Sequence, residues 1–360
     1  MATHEKQTMT PSHPLIPTED FWSRQVNAQS VAFEFAPFGI PTRITANQPE
    51  VLSAARLSAG RFSLFEESRL QSGFLLLHKP GGRPIHIQLV AGRDDAPPIP
   101  ADLPERLTYS GVSEWITLSA GAWGYGFANL QTRQAVVVLS PVLAAETRLV
   151  SRYFIDHYLL NFILTEWAML HASCVLDPSR QRLILMVAPH NTGKSTTALH
   201  LLRAGYIFLA DGMALLRQQG QHFVVGGYPI GEVKLRHDVL SLFPNYSGEA
   251  VKMREQRKTV VNLRAVHPDR LAETLFTPSA IQLCFVERGE TRQTQVASLS
   301  PTEALSILAA NTVFWDEAVR LAHNTTTLNA LLQTASLYRL KIGTEVGDIV
   351  GTIDRLGGKM

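Results

Sequence analysis

The chain begins with a polar stretch and then alternates between strand-like and helix-like patterns. Residues 1–15 are mostly polar and include two prolines, which predicts a disordered tail. Val31, Phe33 and Phe35 occupy alternate positions and would point to one face, as in a half-buried strand. Residues 48–60 then show helical spacing and end in a glycine. Further short apolar runs follow, so residues 16–141 are predicted to form a β-rich α+β domain.

Small and aromatic residues alternate at positions 120–127, and this stretch has two interpretations. It could form a platform on which a ligand stacks, or a twisted hairpin with packed aromatic side chains. The hairpin is favoured, because strand-like runs flank the stretch and nothing else in the first 141 residues indicates a site.

The pattern changes after residue 141. Residues 142–169 are apolar over most of a helical surface, which predicts one long helix, central to the fold or between the two regions. Residues 170–187 indicate two strands joined by a turn at Asp177, hence a hairpin. Residues 194–205 predict a helix that ends at a glycine, and residues 206–211 a further buried strand. The second domain is therefore predicted to span residues 142–360 and to be α/β.

Composition adds few constraints. Hydrophobic residues make up 45% and charged residues 18%, as in ordinary soluble proteins, and the formal charge of +2 predicts neither a nucleic-acid nor a membrane partner. Cys174 and Cys284 both lie in apolar runs, which indicates reduced core thiols and excludes a disulfide framework or a cysteine-built zinc site. The N-terminus has no apolar core, and the apolar stretch 153–170 carries charged residues, so a cytoplasmic location is expected.

Candidate chemistry lies between the predicted hairpin and the helix that follows it. Gly193, Lys194 and Ser195 complete a G-x-x-x-x-G-K-[ST] motif in which Ala188 replaces the first glycine. A sharp turn from strand to helix points several backbone N–H groups at one anion, and the helix N-terminus adds partial positive charge. Lys194 would reach the outer phosphates and Ser195 would bind Mg²⁺. A methyl group at position 188 is expected to be tolerated, because this position marks only where the strand leaves the sheet.

We therefore predict a loop that binds ATP and Mg²⁺, with a plain strand-to-helix turn as the alternative. The predicted nucleotide-binding residues are Ala188, Pro189, His190, Asn191, Thr192, Gly193, Lys194, Ser195 and Thr196.

Asp211 follows Lys194 by seventeen residues and ends the next strand. The carboxyl ends of parallel strands meet at one edge of a sheet, so Asp211 is expected near the outer phosphates. It could hold Mg²⁺ together with Ser195, or accept the proton of an attacking hydroxyl. A cap on the turn that follows is the structural alternative.

Residues 170–216 resemble the catalytic domain of the HPr kinase/phosphorylase family, and the resemblance continues more weakly over about residues 165–355. It implies a P-loop kinase domain of the HPr-kinase/PEP-carboxykinase type, which would follow the smaller β-rich α+β domain that the apolar pattern predicts, and it suggests a homo-oligomer. It also implies that His171 lies near the reacting phosphate and that Asp211 is the base. Lys258 matches a basic residue that could steady the transferred group. Without the resemblance, His171 would be a core or hairpin histidine and Lys258 part of a solvated basic face.

The chain departs from the family pattern at three points. Gly212 replaces the second acid of an Asp-Asp pair, the glycine-rich signature after the catalytic acid is not evident, and the first 140 residues do not resemble the family's N-terminal domain. HPr is therefore not the expected acceptor. A hydroxyl of a peptide, protein or small molecule, of serine type, fits better.

The sequence leaves three functions to consider. The first is a Mg-ATP-dependent kinase, and the second is a nucleotide-binding sensor or assembly module without transfer activity, which Ala188 and Gly212 favour. A phosphoenolpyruvate-carboxykinase-like enzyme is disfavoured, because the sequence offers no second His, Lys and Asp cluster for Mn²⁺ and a carboxylate substrate.

Overall fold

The structure is a computed structural model, and it describes residues 31–64, 83–92, 96–179, 181–189, 191–253, 256–311 and 318–356. The predicted tail at residues 1–15 lies outside the described residues, as does His190.

Strands predominate over helices in the described chain. The strands are β1 (Val31–Phe35), β2 (Thr42–Ala46), β3 (Ile85–Ala91), β4 (Thr108–Val112), β5 (Trp115–Ser119), β6 (Gly124–Asn129), β7 (Gln134–Leu139), β8 (Ala168–Leu170), β9 (Ser173–Asp177), β10 (Arg182–Val187), β11 (Ile207–Asp211), β12 (Met213–Gln219), β13 (His222–Tyr228), β14 (Glu232–Arg236), β15 (Gly248–Met253), β16 (Gln256–Asn262), β17 (Ala280–Arg288), β18 (Gln295–Ser298) and β19 (Ser336–Ile342). The α-helices are Leu52–Ala59, Leu103–Arg106, Pro141–Ala144, Thr147–Leu149, Asp156–Ile163, Lys194–Arg203, His237–Leu240, Leu263–Val266, Pro301–Asn311, Ala318–Thr334 and Val346–Leu356. A π-helix spans Val150–Ile155, and 3₁₀-helices span Pro49–Val51, Gly121–Trp123 and Pro268–Arg270.

The first region forms a seven-stranded sheet in the order β1-β2-β3-β7-β6-β5-β4. The pairs β2–β3 and β3–β7 are parallel and the others are antiparallel. One face of this sheet shares a core with the Leu52–Ala59 helix and with the helical segment 147–163. The aromatic stretch 120–127 joins β5 to β6 in an antiparallel hairpin, as predicted.

The second sheet has six strands in the order β11-β9-β10-β17-β19-β18. The pairs β10–β17 and β17–β19 are parallel. All six residues of β10 are buried, and successive residues belong to two different cores: Leu183 and Leu185 face one side, Ile184 and Met186 the other. A continuous apolar run is what a strand covered on both faces requires. The predicted hairpin of β9 and β10 is confirmed.

The Lys194–Arg203 helix, termed the loop helix below, covers one face of the second sheet. Gly205 follows the C-cap residue Ala204, at the C′ position predicted for it, and its φ is +108°. The N–H groups of Gly205 and Tyr206 donate to the carbonyls of Leu202 and Leu201, which closes the helix in a Schellman arrangement. Helices Pro301–Asn311 and Ala318–Thr334 pack on the opposite face.

Two smaller antiparallel sheets, β13-β12-β8 and β14-β16-β15, complete the fold. The first shares a core with the first region, where Gly226 comes so close to Phe38, in the connection between β1 and β2, that a Cβ on this glycine would be 2.6 Å from the ring. The chain thus has a mixed α/β fold with several sheets. The predicted boundary between residues 141 and 142 stays a prediction.

Residues 142–169 do not form the single helix predicted above. The helices break between Ala144 and Thr147, continue through the π-helix, and end at Ile163. Residues 168–170 form strand β8, which pairs with β12. The predicted strand over residues 170–176 is likewise divided between β8 and β9, which belong to different sheets. An apolar run does not distinguish a buried helix from a buried strand, and here the pairing with β12 decides.

None of the helices in the described ranges combines the length and the apolar character that a bilayer crossing demands.

Candidate functional site

The candidate loop leaves the second sheet at the end of β10 and leads into the loop helix. Asn191 and Gly193 have positive φ angles of 63° and 110°, so the backbone turns through the left-handed region twice before Lys194. Gly193 is the N-cap and provides no side chain to cap the helix. The first N–H groups of a helix have no intrahelical acceptor, so they are available to water or to a bound anion.

Ala188 has a structural role that does not need glycine. Its side chain is buried in the core under the loop helix, and its φ is not among the positive values of the described chain. Its carbonyl accepts a hydrogen bond of 2.5 Å from Lys194 Nζ, and the Pro189 carbonyl accepts a second of 3.2 Å. The contact with Lys194 uses only the backbone carbonyl of residue 188, which an alanine provides as well as a glycine does.

Contacts within the loop and to a neighbouring strand stabilise its shape. The Thr192 hydroxyl donates to the Pro189 carbonyl at 2.8 Å. Arg288, at the end of β17, donates from Nη2 to the Asn191 carbonyl at 2.9 Å. Because β10 and β17 are parallel neighbours, both end at the same edge of the sheet, which brings Arg288 to the loop.

Asp211 lies beside the first turn of the loop helix. Ser195 Oγ is 2.8 Å from Asp211 Oδ1 and 2.9 Å from Oδ2, and the Ser173 hydroxyl also donates to Oδ1. Strand β9 explains this arrangement: it runs antiparallel between β10 and β11, so its first residue, Ser173, stands opposite Asp211. Strands β10 and β11 therefore run in the same direction with β9 between them, and both end at the loop edge.

A cavity of about 250 Å³ opens over this edge. Its lining includes His171, Asn191 to Thr196, Asp211 and Lys258 among the residues predicted from the sequence. Ala188 and Pro189 do not line it and contribute through the carbonyls that hold Lys194. His190 lies outside the described residues.

The cavity is strongly cationic. Besides Lys194 and Lys258 it is lined by Lys234, Arg236 and Arg288, whereas Asp211 is the single carboxylate among the described residues that line it. Lys194 is only 8% exposed, and burial lowers the pKa of its ammonium group, an effect that Asp211 opposes and Lys258 increases. Burial, with Arg152 next, lowers the pKa of Lys234 to about 8, although Glu232 and Asp211 act in the opposite direction.

Gly212 directly follows the carboxylate, with φ +151° and an N–H group that donates to the Ala172 carbonyl at 3.1 Å. Within the described ranges no group of three or more His, Cys, Asp or Glu side chains is arranged to hold a metal ion. A divalent cation here would therefore have Ser195 and Asp211 as its protein ligands and phosphate or water oxygens for the remainder.

The sequence did not predict four residues at the site: Lys234, Arg236, Arg288 and Ser173. The polar positions of β14 alternate with buried Val233 and Leu235, so the sequence did signal that one face of this strand is charged. Arg288 ends an apolar run that pairs in parallel with β10, a relationship that only the sheet order reveals.

No protein-family model matches the sequence, and no curated protein matches it. Among solved structures, the chain is similar to the HPr(Ser) kinase/phosphatase from Coxiella burnetii, with a TM-score of 0.26 and 11% sequence identity. The match covers 52% of this chain and 96% of that chain, and it is a weak structural similarity.

Proposed function

We propose that this protein is an ATP-dependent kinase that transfers a phosphoryl group to a hydroxyl acceptor of serine type. The observation that carries the proposal is the contact between Ser195 and Asp211 at the start of the loop helix, beside the Lys194 ammonium group and inside a cationic cavity. A hydroxyl and a carboxylate at this place suit a magnesium ion, and the surrounding cations suit a polyphosphate.

The residues of the loop fit a triphosphate in three respects. The uncapped N-terminus of the loop helix offers backbone N–H groups to an anion. Lys194 is bound by two carbonyl oxygens, which a phosphate would replace as a charged partner. Arg288 holds the loop by its backbone and adds positive charge at the cavity. When bound, ATP would supply the phosphoryl group, and Mg²⁺ would neutralise part of the negative charge of the phosphates.

Asp211 is the proposed base. Its carboxylate accepts hydrogen bonds from two hydroxyl groups, Ser173 and Ser195, so it is positioned to accept the proton that an acceptor hydroxyl loses. His171 and Lys258 line the same cavity, and we assign them to the neighbourhood of the transferred group. The acceptor would be a hydroxyl of a peptide, protein or small molecule.

A nucleotide-binding sensor or assembly module is the second candidate. One observation favours it: Asp211 is the only carboxylate that lines the cavity in the described chain, and glycine occupies the next position. A site with one acid can hold a magnesium nucleotide and still lack the charges that transfer requires.

Calorimetry with Mg-ATP tests the binding step. The Lys194→Met variant should bind at least about tenfold more weakly than the unmodified protein, because it removes a full charge from the phosphates. Lys341→Met, which removes an exposed lysine on β19, is the control and should bind normally. Absence of binding to the unmodified protein would disprove the proposal.

The Asp211→Asn variant separates the two candidates. A kinase should lose transfer of the γ-phosphoryl group from Mg-ATP to water or to an added serine-type hydroxyl, measured as ADP release, by roughly a hundredfold or more while it still binds ATP. If turnover is undetectable in the unmodified protein despite tight binding, the module without transfer activity is the better description.

A further inference from the structure

The charged side chains that the β14-β16-β15 sheet contributes to the cavity are all cations among the described residues, whereas Glu232, on the same face of β14, lies outside the cavity lining and pairs with Arg152. Lys234 and Arg236 are two residues apart on β14, so both point to the same face, opposite the buried Val233 and Leu235. Lys258 on β16 pairs directly with Arg236 in the antiparallel register, which places it on that face as well. All three side chains line the cavity.

This arrangement is unfavourable in the protein alone. Like charges directly opposite each other on antiparallel strands destabilise the pair. Asp238 balances the charge of Arg236 in an ion pair. Arg236 Nε donates to Asp238 Oδ1 at 2.9 Å, and Arg236 Nη2 donates to Asp238 Oδ2. Lys234 and Lys258, by contrast, make no hydrogen bond or ion pair within the residues that the structure describes, and the two ammonium groups repel each other.

The loop side of the cavity already has its own cations for a triphosphate. Lys194, Arg288 and the N-terminus of the loop helix surround the proposed phosphate position. Asp211 interacts electrostatically with both sides, with Lys194 on the loop and with Lys234 on the sheet. Lys234, Arg236 and Lys258 therefore lie near the proposed base, and they add positive charge beyond that which already surrounds the proposed phosphate position.

We propose that Lys234 and Lys258, with Arg236, bind an oxyanion of the acceptor, so that the substrate is a hydroxyl compound that also carries a carboxylate or a phosphate group. This inference rests on the proposed kinase function. The anionic group would bind the two lysines and hold its neighbouring hydroxyl at Asp211. Lys234 is then a specificity-determining residue for the acceptor.

The test uses the full chain saturated with Mg²⁺ and the non-hydrolysable analogue AMP-PNP, so that the loop is filled. Inorganic phosphate and, separately, acetate are titrated into this complex in a calorimeter. We expect phosphate to bind, and Lys234→Met to weaken its binding by at least about tenfold. Binding of phosphate alone identifies a phosphate-bearing acceptor, and binding of acetate as well identifies a carboxylate-bearing one.

Two further variants make the result specific. Arg257→Met removes one positive charge, as Lys234→Met does, and it lies on β16 beside Lys258. Residue 257 points to the opposite face of the sheet from Lys258, so phosphate binding should stay normal. Lys234→Arg should restore most of the binding, because it keeps the charge. Normal AMP-PNP binding by Lys234→Met would show that this variant is folded.

The outcomes distinguish this inference from the proposed function. If AMP-PNP binds but neither anion does, or if Arg257→Met weakens phosphate binding as much as Lys234→Met, the anionic acceptor is disproved and the kinase proposal stands. If AMP-PNP itself does not bind, the kinase proposal fails and the inference fails with it.

Discussion

Gly193 adopts a conformation that other residues rarely adopt, with φ +110° and ψ 3°. A Cβ at this position would meet no atom closer than Ile342 Cδ1 at 4.0 Å, so space is not the constraint. The constraint is the backbone, because the left-handed region brings Cβ against the following carbonyl. The same conformation allows the loop to turn into the helix.

We therefore expect Gly193→Ala to lower the free energy of unfolding by about 1–2 kcal/mol, measured by urea denaturation, and to weaken Mg-ATP binding. Gly347→Ala is the matched control: residue 347 lies in the Val346–Leu356 helix with open space around it and no positive φ, so alanine should be neutral or slightly stabilising. Equal effects of the two substitutions would refute the argument from backbone strain.

At the scale of the elements, the stability of the loop helix depends on the packing of its buried face as well as on the loop that precedes it. His200, on the buried face of this helix, lies against Phe243 with ring centroids 4.9 Å apart, and its Nε2 has no hydrogen-bond partner within the described chain. Burial, with the nearby Arg203, lowers the pKa of His200 to about 4. A charged imidazole is disfavoured in this position, so the helix is sensitive to acid.

The sign of this effect follows from proton binding. Between the ordinary pKa of histidine, about 6.5, and the folded value, about 4, the unfolded chain binds more protons than the folded chain, so stability falls as pH decreases through this window. Both proteins are compared at pH 7 and pH 5 by urea denaturation. Between these pH values, the free energy of unfolding of His200→Phe should fall by about 1 kcal/mol less than that of the unmodified protein. This figure is reduced to allow for solvent screening of the partly exposed site.

His222→Phe, which removes an exposed imidazole from β13, is the control for the substitution. The idea fails if His200→Phe has the same pH dependence as the unmodified protein.

At the scale of the whole molecule, a buried charge network joins the first region to the region that bears the cavity. Asp156, 1% exposed, accepts hydrogen bonds from Arg61 Nε at 2.8 Å and from the Tyr228 hydroxyl at 2.6 Å, and Ser58 also donates to it. Glu232, two residues before Lys234, lies 3.0 Å from Arg152 and 4.0 Å from Arg61. The network thus continues to β14, the strand that carries Lys234 and Arg236.

Asp156→Asn should lower the free energy of unfolding by about 3–5 kcal/mol, because it leaves the buried Arg61 guanidinium with only the more distant carboxylate of Glu232 as its counter-charge. Asp102→Asn, which breaks the exposed pair of Asp102 and Arg106, should change stability by less than about 1 kcal/mol. Both are measured by urea denaturation at neutral pH. A small effect at Asp156 would mean that the network is not needed to hold the two regions together.

The sequence was informative where structure is local. The hairpin of β9 and β10, the helix that begins at Lys194 and the strand that ends at Asp211 were all predicted from apolar spacing and from glycines. The long helix over residues 142–169 was wrong, because an apolar run fits a buried helix and a buried strand equally well until its partner is known.

The sequence by itself determined the turn at the loop: a glycine at Gly193, which must adopt a positive φ, followed by Lys194 and Ser195 at the start of a helix. These are properties of neighbouring residues, which fix the backbone and the side-chain types. Only the tertiary structure decided which distant groups meet there. The insertion of β9 between β10 and β11 brought Ser173 to Asp211, and the register of β14 and β16 placed Lys258 opposite Arg236. Strand order and register depend on burial and pairing between remote segments, which no local pattern encodes.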